Sequence, residues 1–322
     1  MTKPAQNRRT GQDLRRAVGY MVLASLLFAV MGAFVKASTA RLPFLFALLF
    51  RNAMGMIPLA AWYLATGERP RAVRPRLLFL RALLGFTAMF LFFLSIGALP
   101  LSTATVLNYM SPVFVVLLSA SFRRDRTALG LLPFVGVAFA GVVLVVGFDP
   151  DGSWGATGLG VLSAVFAALA YLTVRELSAT ESSATIVWHF SAWGAVLSAL
   201  VLVVAWAMDL GNVPWDGVAS ALADPVSLGC LCAVGLFGTL AQLAMTSAYA
   251  RASAPVISPI SYLTPVLSYA LGIALFDDPL TASALGGGAL VIGASIALLR
   301  LSAARPAVTR EDPPRGEARP GS

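Results

Sequence analysis

Residues 104–121 read ATVLNYMSPVFVVLLSAS, and residues 256–274 read VISPISYLTPVLSYALGIA. Each stretch is an apolar run of helical length that is interrupted near its middle by a polar cluster and a proline. A shift of 153 positions places Tyr109 on Tyr262 and Pro112 on Pro265. It also aligns Leu83 with Leu236, Gly85 with Gly238, Ala88 with Ala241, Val113 with Val266, Leu118 with Leu271 and Asp125 with Asp278. The pattern predicts an internal duplication with a proline-broken helix in each half.

The composition is that of a protein whose solvent is lipid. Of the 322 residues, 58% are hydrophobic and only 12% are charged, whereas soluble domains average about 25% charged residues. Ten apolar runs approach the roughly 20 residues that a helix needs to cross a bilayer. The sequence therefore predicts an all-α integral membrane protein with ten transmembrane helices. The predicted spans are 18–37, 43–66, 77–97, 102–122, 128–147, 155–174, 185–207, 227–249, 255–276 and 281–300.

Arginines are frequent in every second loop, and this alternation indicates the orientation of the chain in the membrane. They concentrate in the N-terminal segment, in the even-numbered loops and in the C-terminal segment, whereas the odd-numbered loops carry mainly aspartates. Because positive residues mark cytoplasmic loops, both termini are predicted to be cytoplasmic, in a multi-pass protein of the bacterial inner (plasma) membrane. Five spans in each half make the second half inverted relative to the first. The predicted units are a cytoplasmic tail (1–17), two five-helix repeats (18–147 and 155–300) and a disordered cytoplasmic tail (301–322).

Ten spans in two five-span halves, with both ends inside and a tyrosine-proline helix in each half, resemble the drug/metabolite transporter superfamily and its EamA-like branch. The resemblance covers residues 18–300 and implies two inverted repeats around a central transport site. Members of this branch often end the fourth and ninth helices with a Leu-Gly-Glu-like corner. This chain instead has FRRD at residues 122–125 and FDDP at residues 276–279, so a role for that glutamate does not carry over.

Arg51 is a charged residue well inside the second predicted span. An ionised side chain at the centre of a membrane helix costs about 2.5–3.5 kcal/mol on insertion scales. One interpretation is that Arg51, with Asn52 beside it, faces a wet cavity and attracts an anionic or zwitterionic substrate. The other is that Arg51 extends outward to the interface or bonds to the carbonyls of a broken neighbour.

Polar side chains surround the prolines of the two broken spans. A proline removes a backbone donor, so Pro112 leaves the carbonyl of Asn108 without its helical partner, and Pro265 does the same at Ser261. These carbonyls are ready acceptors for water or substrate. Alternatively, the hydroxyls bond back to backbone carbonyls and the prolines only kink the helices for packing. The predicted substrate-binding residues here are Thr105, Asn108, Tyr109, Ser111, Ser258, Ser261 and Tyr262.

Three further spans offer polar or aromatic side chains. Gln242 and Thr246 in the eighth span are one turn apart, so they are expected to share a face. Tyr171 in the sixth span and Trp193 in the seventh are candidate aromatic walls for a planar or cationic group. Aromatic residues are also common at membrane interfaces, which is the alternative explanation for them.

The sequence lacks the residues that several mechanisms need. All 15 aspartates and glutamates fall in loops, tails or span ends, whereas proton- and sodium-driven carriers typically use a buried carboxylate. No nucleotide-binding loop and no metal-ligand spacing is present, so neither ATP drive nor a cofactor or metal is expected. With one histidine and no nucleophile–base pair at readable spacing, an enzyme is not expected either.

The sequence therefore predicts an inner-membrane transporter of a small organic metabolite, either amino-acid-like or nucleoside-like. It is expected to work by alternating access as a uniporter or exchanger. The alternatives are an intramembrane enzyme and a drug or metabolite efflux pump coupled to protons. The expected partners are the small-molecule substrate and the lipid bilayer, with no nucleic acid, and the chain is expected to be a monomer or a homodimer.

Overall fold

The computed structural model describes residues 3–39, 44–96, 99, 101–122, 126–147, 154–208, 218 and 222–304. Every regular element within these ranges is helical. Nine helical segments in them are long and apolar enough to cross a membrane. The chain is therefore an all-helical membrane protein, as the composition predicts.

Twelve α-helices and two 3₁₀ segments lie in the described part of the chain. The α-helices are α1 (Lys3–Thr39), α2 (Phe44–Thr66), α3 (Pro75–Ile96), α4 (Leu101–Asn108), α5 (Ser111–Phe122), α6 (Leu132–Val146), α7 (Trp154–Leu177), α8 (Ser183–Ala207), α9 (Pro225–Arg251), α10 (Ala254–Ile257), α11 (Leu263–Phe276) and α12 (Ala282–Ala304). The 3₁₀ segments are Arg126–Leu131 and Ser258–Tyr262.

The nine candidate spans fall on nine of the ten predicted ones. The remaining predicted span, residues 43–66, coincides with α2, a helix of 23 residues. Helix α2 contains Arg51, Asn52 and Pro58, and it is not among the nine apolar segments found in the described residues. The count of ten spans therefore stays a prediction.

The N-terminal segment, which is predicted as a cytoplasmic tail, is helical from Lys3 onward. Helix α1 begins at Lys3 and continues to Thr39. Leu14 packs against a cluster that contains Ala17 and Met21, both of which are almost fully buried. Leu14, Ala17 and Met21 recur at helical spacing and therefore form one apolar face of α1. The packing of this face stabilises a helix in a segment whose other residues are mostly polar. At the other end, residues 301–304 complete α12, and the rest of the predicted C-terminal tail lies outside the described residues.

The two spans that contain Pro112 and Pro265 are both interrupted. Helix α4 ends at Asn108 and α5 begins at Ser111, with a turn between them. In the ninth span, the 3₁₀ segment Ser258–Tyr262 separates α10 from α11. Pro112 and Pro265 each lie in the first turn of the helix that follows, where a backbone N–H has no intrahelical acceptor. Irregular backbone at membrane depth is tolerated only where it is buried in protein or lines a cavity.

The contacts between the two halves come in matching pairs. If each helix is replaced by its equivalent in the other half, one contact of a pair becomes the other contact. Helix α1 packs on α9 and α3 packs on α7, while α2 contacts α9 and α3 contacts α8. Helix α1 also contacts α11, and α7 contacts α5. Two further pairs, α2 with α8 and α6 with α12, join equivalent helices of the two halves. The packing therefore agrees with an internal repeat.

Glycines bring α6 and α12 into backbone contact. A Cβ added at Gly141 would lie 2.6 Å from the carbonyl oxygen of Gly287, and one at Gly287 would lie 2.5 Å from that of Gly141. Both positions therefore exclude any side chain. Small residues at such crossings let helices approach closely in lipid, where no hydrophobic force drives them together.

Candidate substrate cavity

A cavity of about 370 Å³ lies between the helices of the two halves. This volume falls within the range of small-molecule sites, which is about 300–1,000 Å³. Apolar side chains form most of its lining. The described polar residues in the lining are Ser25, Arg51, Arg81, Asn108, Tyr109, Ser111, Tyr171, Gln242, Tyr249, Ser261, Thr264 and Ser268.

Arg81 is a cavity residue that the sequence reasoning missed. It lies in α3 and is only 2% exposed. Its guanidinium carbon lies 4.2 Å from the centroid of the Phe190 ring, and its Nη2 donates a hydrogen bond to Oε1 of Gln242 over 3.3 Å. The signal was present, because Arg81 stands inside the predicted span 77–97 just as Arg51 stands inside 43–66. Arg81 was missed because it lies only five residues after the last arginine of the arginine-rich loop.

Arg51 points into the same cavity from α2 and is 9% exposed. Its guanidinium carbon lies 5.8 Å from the centroid of the Phe190 ring, and its Nη1 lies 3.3 Å from the sulfur of Met89. A thioether is a weak acceptor. Of the two sequence interpretations, this geometry favours the one in which Arg51 faces a cavity.

The cavity is electropositive. No aspartate or glutamate belongs to its lining in the described part of the chain. The Nε of Arg51 and the Nε and Nη1 of Arg81 are buried and have no hydrogen-bond partner among those residues. Burying a charge without a partner is costly, so groups of this kind are normally paired. The lining therefore carries two positive charges that the described residues do not compensate.

A hydrogen-bond chain fixes the first break. Nδ2 of Asn108 donates to Oγ of Ser163 over 2.7 Å, and that hydroxyl donates to the carbonyl of Ala88 over 2.9 Å. The chain links α4 to α7 and α3. At the second break, Oγ of Ser261 donates to the carbonyl of Ser258 over 2.7 Å. The two breaks are thus held by different contacts, one between helices and one local.

Four tyrosines meet around the cavity. The rings of Tyr109 and Tyr262 have centroids 6.4 Å apart, so two residues that the 153-position shift pairs lie side by side. Tyr171 stacks on Tyr249 with centroids 5.5 Å apart and planes inclined by 20°. Three of these residues line the cavity, and Tyr262 is fully buried behind it.

The predicted substrate-binding residues divide into two sets. The structure brings one set together around the cavity, from α2, from both breaks, and from α7 and α9. These residues are Arg51, Asn108, Tyr109, Ser111, Tyr171, Gln242 and Ser261. The others lie outside the described lining of the cavity. They are Asn52, Thr105, Trp193, Thr246, Ser258 and Tyr262.

Packing explains two of the residues outside the lining. Nδ2 of Asn52 donates to the carbonyl of Leu48 over 3.0 Å, and the amide lies against Gly194, where α2 meets α8. Trp193 is 39% exposed on the outside of the helix bundle and contacts Phe79 edge to face, with ring centroids 4.9 Å apart. Trp193 therefore lies on the outer surface of α8 and not in the described lining of the cavity.

A packed and hydrogen-bonded region closes one end of the cavity. Oε1 of Glu181 accepts hydrogen bonds from the backbone N–H groups of Val73, over 2.8 Å, and Arg74, over 2.7 Å. Arg74 also pairs with Glu176 at 2.9 Å. These contacts join the loop before α3 to the end of α7 and the loop after it. The apolar residues packed at this end include Ala17, Leu78, Leu177, Ile186, Tyr249 and Ile257.

A weaker contact lies at the opposite end. Nζ of Lys36, near the end of α1, lies 3.1 Å from a carboxylate oxygen of Asp278 and 4.3 Å from the centroid of the Phe276 ring. The side chains of the pair are 53% and 39% exposed, so the pair contributes only about 0–1 kcal/mol. The first and second halves therefore also touch through this exposed pair.

Comparisons with known proteins agree with this architecture. Residues 15–147 and 154–300 each match the EamA-like transporter family. The chain is 31% identical over 291 residues to the pseudopaline exporter of Pseudomonas aeruginosa, covering 89% of this chain and 97% of the exporter. It is 25% identical over 303 residues to the riboflavin transporter of Rhizobium johnstonii, covering 89% and 92% of the two chains. A protein of known crystal structure superposes with a TM-score of 0.74 at 22% identity, over 90% of this chain and 99% of that chain, which shows a shared fold.

The two family matches account for the internal duplication and cover nearly the whole chain. The prediction of a membrane transporter that is not an enzyme is confirmed, because the relatives are carriers of small molecules. The protein is thus a multi-pass membrane transporter with bacterial relatives. The chain belongs to the EamA-like transporter family.

Proposed function

We propose that the chain transports a small organic anion of the amino-acid-like class through the central cavity. The observation that carries the proposal is the pair of buried arginines, Arg51 and Arg81, in a lining whose described residues include no carboxylate. A guanidinium presents a planar fork of donors that matches a carboxylate. The pair therefore favours a carboxylate-bearing solute over the nucleoside-like alternative, because a nucleoside carries no fixed negative charge.

The two relatives support the size class of this solute. They are named for pseudopaline and for riboflavin, which are both small molecules. A cavity of about 370 Å³ suits such solutes. Its stacked tyrosines, Tyr171 and Tyr249, offer an apolar surface beside the charged groups, so the solute is expected to carry an apolar part as well.

We infer alternating access between two inverted halves of five spans each, at 18–147 and 155–300. An odd number of spans makes the second half enter the membrane from the opposite side, and the interchangeable helix pairs support this arrangement. In such proteins, one half rocks against the other around a fixed site near mid-depth. The Glu181 contacts at one end and the Lys36–Asp278 pair at the other are the bonds that such a motion would break in turn.

The orientation that we propose has both termini in the cytoplasm of a bacterium, with the chain in its inner membrane. It rests on the arginine-rich even-numbered loops. The segment at residues 1–17 is then a cytoplasmic extension of α1. The strongly bonded end of the cavity, at Arg74 and Glu181, faces the cytoplasm, and the Lys36–Asp278 end faces the outside.

Cysteine labelling in intact cells tests this orientation. In a chain whose Cys230 and Cys232 are replaced by serine, Gly152→Cys is expected to react with a membrane-impermeant thiol reagent. Arg124→Cys is expected to react only after the cells are permeabilised. The reverse pattern would contradict the orientation.

The transport mechanism is proposed to need no ion gradient, because the described lining offers no carboxylate to carry a coupling proton. A thermal-shift screen of the purified protein against metabolites first identifies a bound solute, which raises apparent stability by mass action. Proteoliposomes loaded with that solute are then expected to take up labelled solute with no gradient imposed. Uptake that appears only with a proton gradient would support the efflux-pump alternative instead. If no solute is bound or exchanged, the proposed function is wrong.

The position of Arg81 is expected to control the rate. A methyl group at residue 85 would lie 2.5 Å from Nη1 of Arg81 and 3.0 Å from Cε2 of Phe190, so Gly85→Ala displaces the guanidinium from the ring. Transport by this variant is expected to fall about tenfold, which corresponds to one lost hydrogen bond of about 1.4 kcal/mol. Gly136→Ala is the matched control, because nothing lies within 4 Å of its added methyl group. Equal uptake by the two variants in proteoliposomes would refute this role.

A further inference from the structure

We propose that the cavity selects a solute with two anionic groups, one for each of its two arginines. This inference rests on the proposed function and narrows its substrate class. The cavity would then distinguish a dicarboxylate from a monocarboxylate of the same size and shape. The selectivity lies in the number of charges, and the apolar part of the solute contributes affinity.

The geometry places both guanidinium groups around one ring. Their central carbons lie 4.2 Å (Arg81) and 5.8 Å (Arg51) from the centroid of Phe190, so the two carbons are within about 10 Å of each other. They reach the ring from different helices, α2 and α3. Two anionic groups of one small molecule can therefore meet both guanidiniums in a single bound pose.

Glycines provide the space for this arrangement. A Cβ added at Gly238 would lie 3.4 Å from Nε of Arg51, and one at Gly85 would lie 2.5 Å from Nη1 of Arg81. These two glycines are a pair that the 153-position shift aligns. Equivalent positions of the two halves thus accommodate one arginine each, although both arginines belong to the first half.

The partners that the protein supplies to the arginines are neutral. Arg81 donates to the amide oxygen of Gln242, and Nη1 of Arg51 lies near the sulfur of Met89. Nε of Arg51 and Nε and Nη1 of Arg81 are buried without a hydrogen-bond partner among the described residues, so the protein leaves both charges uncompensated. Like charges at this separation raise each other's burial cost. A monoanion would neutralise one arginine and leave the other buried without a partner for its charge. A dianion neutralises both arginines.

An inorganic dianion such as sulfate shares this charge, but the cavity favours an organic one. Its volume of about 370 Å³ and its largely apolar lining, which includes Phe28, Met31, Phe92 and Val234, would be left unfilled by a single small ion. Apolar surface in a binding site is stabilising only when a ligand covers it. The organic solute and the free inorganic ion are separated by the experiment.

The test measures binding to the purified full-length protein in detergent. The probes are the straight-chain dicarboxylates from succinate to suberate, the monoamide and diamide of each, and sulfate. At equal concentration and ionic strength, at least one dicarboxylate is expected to raise the melting temperature and to bind about tenfold or more tightly than its monoamide, with no binding of the diamide. Monoamides that bind as tightly as their dicarboxylates, sulfate as the strongest ligand, or no binding by any dicarboxylate would each overturn the proposal.

Variants show whether the two arginines are the cause. Arg51→Gln and Arg81→Gln are each expected to reduce the preference for dicarboxylate over monoamide to less than about twofold. Arg76→Gln, an equal loss of charge at an exposed residue of α3, is expected to keep the full preference. Arg81→Lys retains the charge and is expected to keep the preference at lower affinity, which guards against a glutamine variant that fails to fold. A preference that survives both glutamine variants would refute the assignment.

The outcome also separates this inference from the proposed function. If a monocarboxylate binds and exchanges across proteoliposomes and no dicarboxylate binds, the transport proposal stands and the two-anion proposal is wrong. If a dicarboxylate binds and is never exchanged, the site is a binding site for two anionic groups, and the transport of that solute is refuted.

Discussion

Replacing Arg81 by glutamine is expected to lower transport at subsaturating solute about a hundredfold or more. A hydrogen bond to a charged group contributes about 1.5–3 kcal/mol, and each 1.4 kcal/mol is a factor of ten. Arg81 lines the cavity, and its charge is not compensated by the described residues, because its Nε and Nη1 are buried without a partner. Initial uptake rates of labelled solute in proteoliposomes, at matched protein density, measure the effect.

Arg76→Gln is the control for Arg81→Gln, because it makes the same chemical change on the same helix outside the cavity. It is expected to keep the wild-type rate. The loss of a buried charge can also ease insertion and raise stability, so expression and melting temperature are measured for both variants. Near-normal uptake by a folded Arg81→Gln protein would show that Arg81 has a structural role and does not bind the solute.

Replacing Asn108 by leucine is expected to abolish measurable transport and to leave the helices folded. Leucine cannot donate to Oγ of Ser163, so the bond between α4 and α7 is lost. Its branched apolar side chain also occupies the cavity beside the first break. Ser261→Leu, at the second break, is expected to act in the same way, because Ser261 lines the cavity from the other half.

Ser163→Ala separates the two effects of Asn108→Leu. It removes that hydrogen bond and also the one that Oγ of Ser163 donates to the carbonyl of Ala88, and it adds no volume to the cavity. Transport by Ser163→Ala is expected to fall by about tenfold, because each of the two neutral hydrogen bonds contributes about 0.5–1.5 kcal/mol. If Asn108→Leu and Ser163→Ala lose transport equally, the loss comes from the hydrogen bond. If Asn108→Leu transports normally, this part of the cavity does not bind the solute.

The sequence predicted most of the fold, because hydropathy and proline act locally. Runs of about 20 apolar residues must form helices in lipid, since backbone groups there can bond only within the chain. Pro112 and Pro265 likewise predict where two spans are interrupted, and the structure has breaks there. The order along α1 was not predictable in this way. Its polar N-terminal part is helical because Leu14 and Ala17 pack against other helices.

The site was predictable only in part, because the direction in which a side chain points depends on packing between helices. Arg51 and Asn52 are neighbours in sequence, yet only the arginine lines the cavity, while Asn52 lies where α2 meets α8. Phe190 and Trp193 are three residues apart on α8, and one lines the cavity while the other is on the outer surface. Arg81 was overlooked for a different reason. Its position inside the predicted span 77–97 was the local sign, but it stands near the start of a helix that begins within a cluster of arginines.

The central claim is that one cavity, formed by the breaks of both halves, is the transport site. Solute protection of single cysteines tests it most directly, in a protein whose Cys230 and Cys232 are replaced by serine. Ser111→Cys and Ser261→Cys place nearly isosteric thiols in the lining, one in each half. The transported solute is expected to slow alkylation at both positions by a similar factor, at the concentrations that saturate transport. Alkylation that the solute leaves unchanged at both positions would contradict the claim.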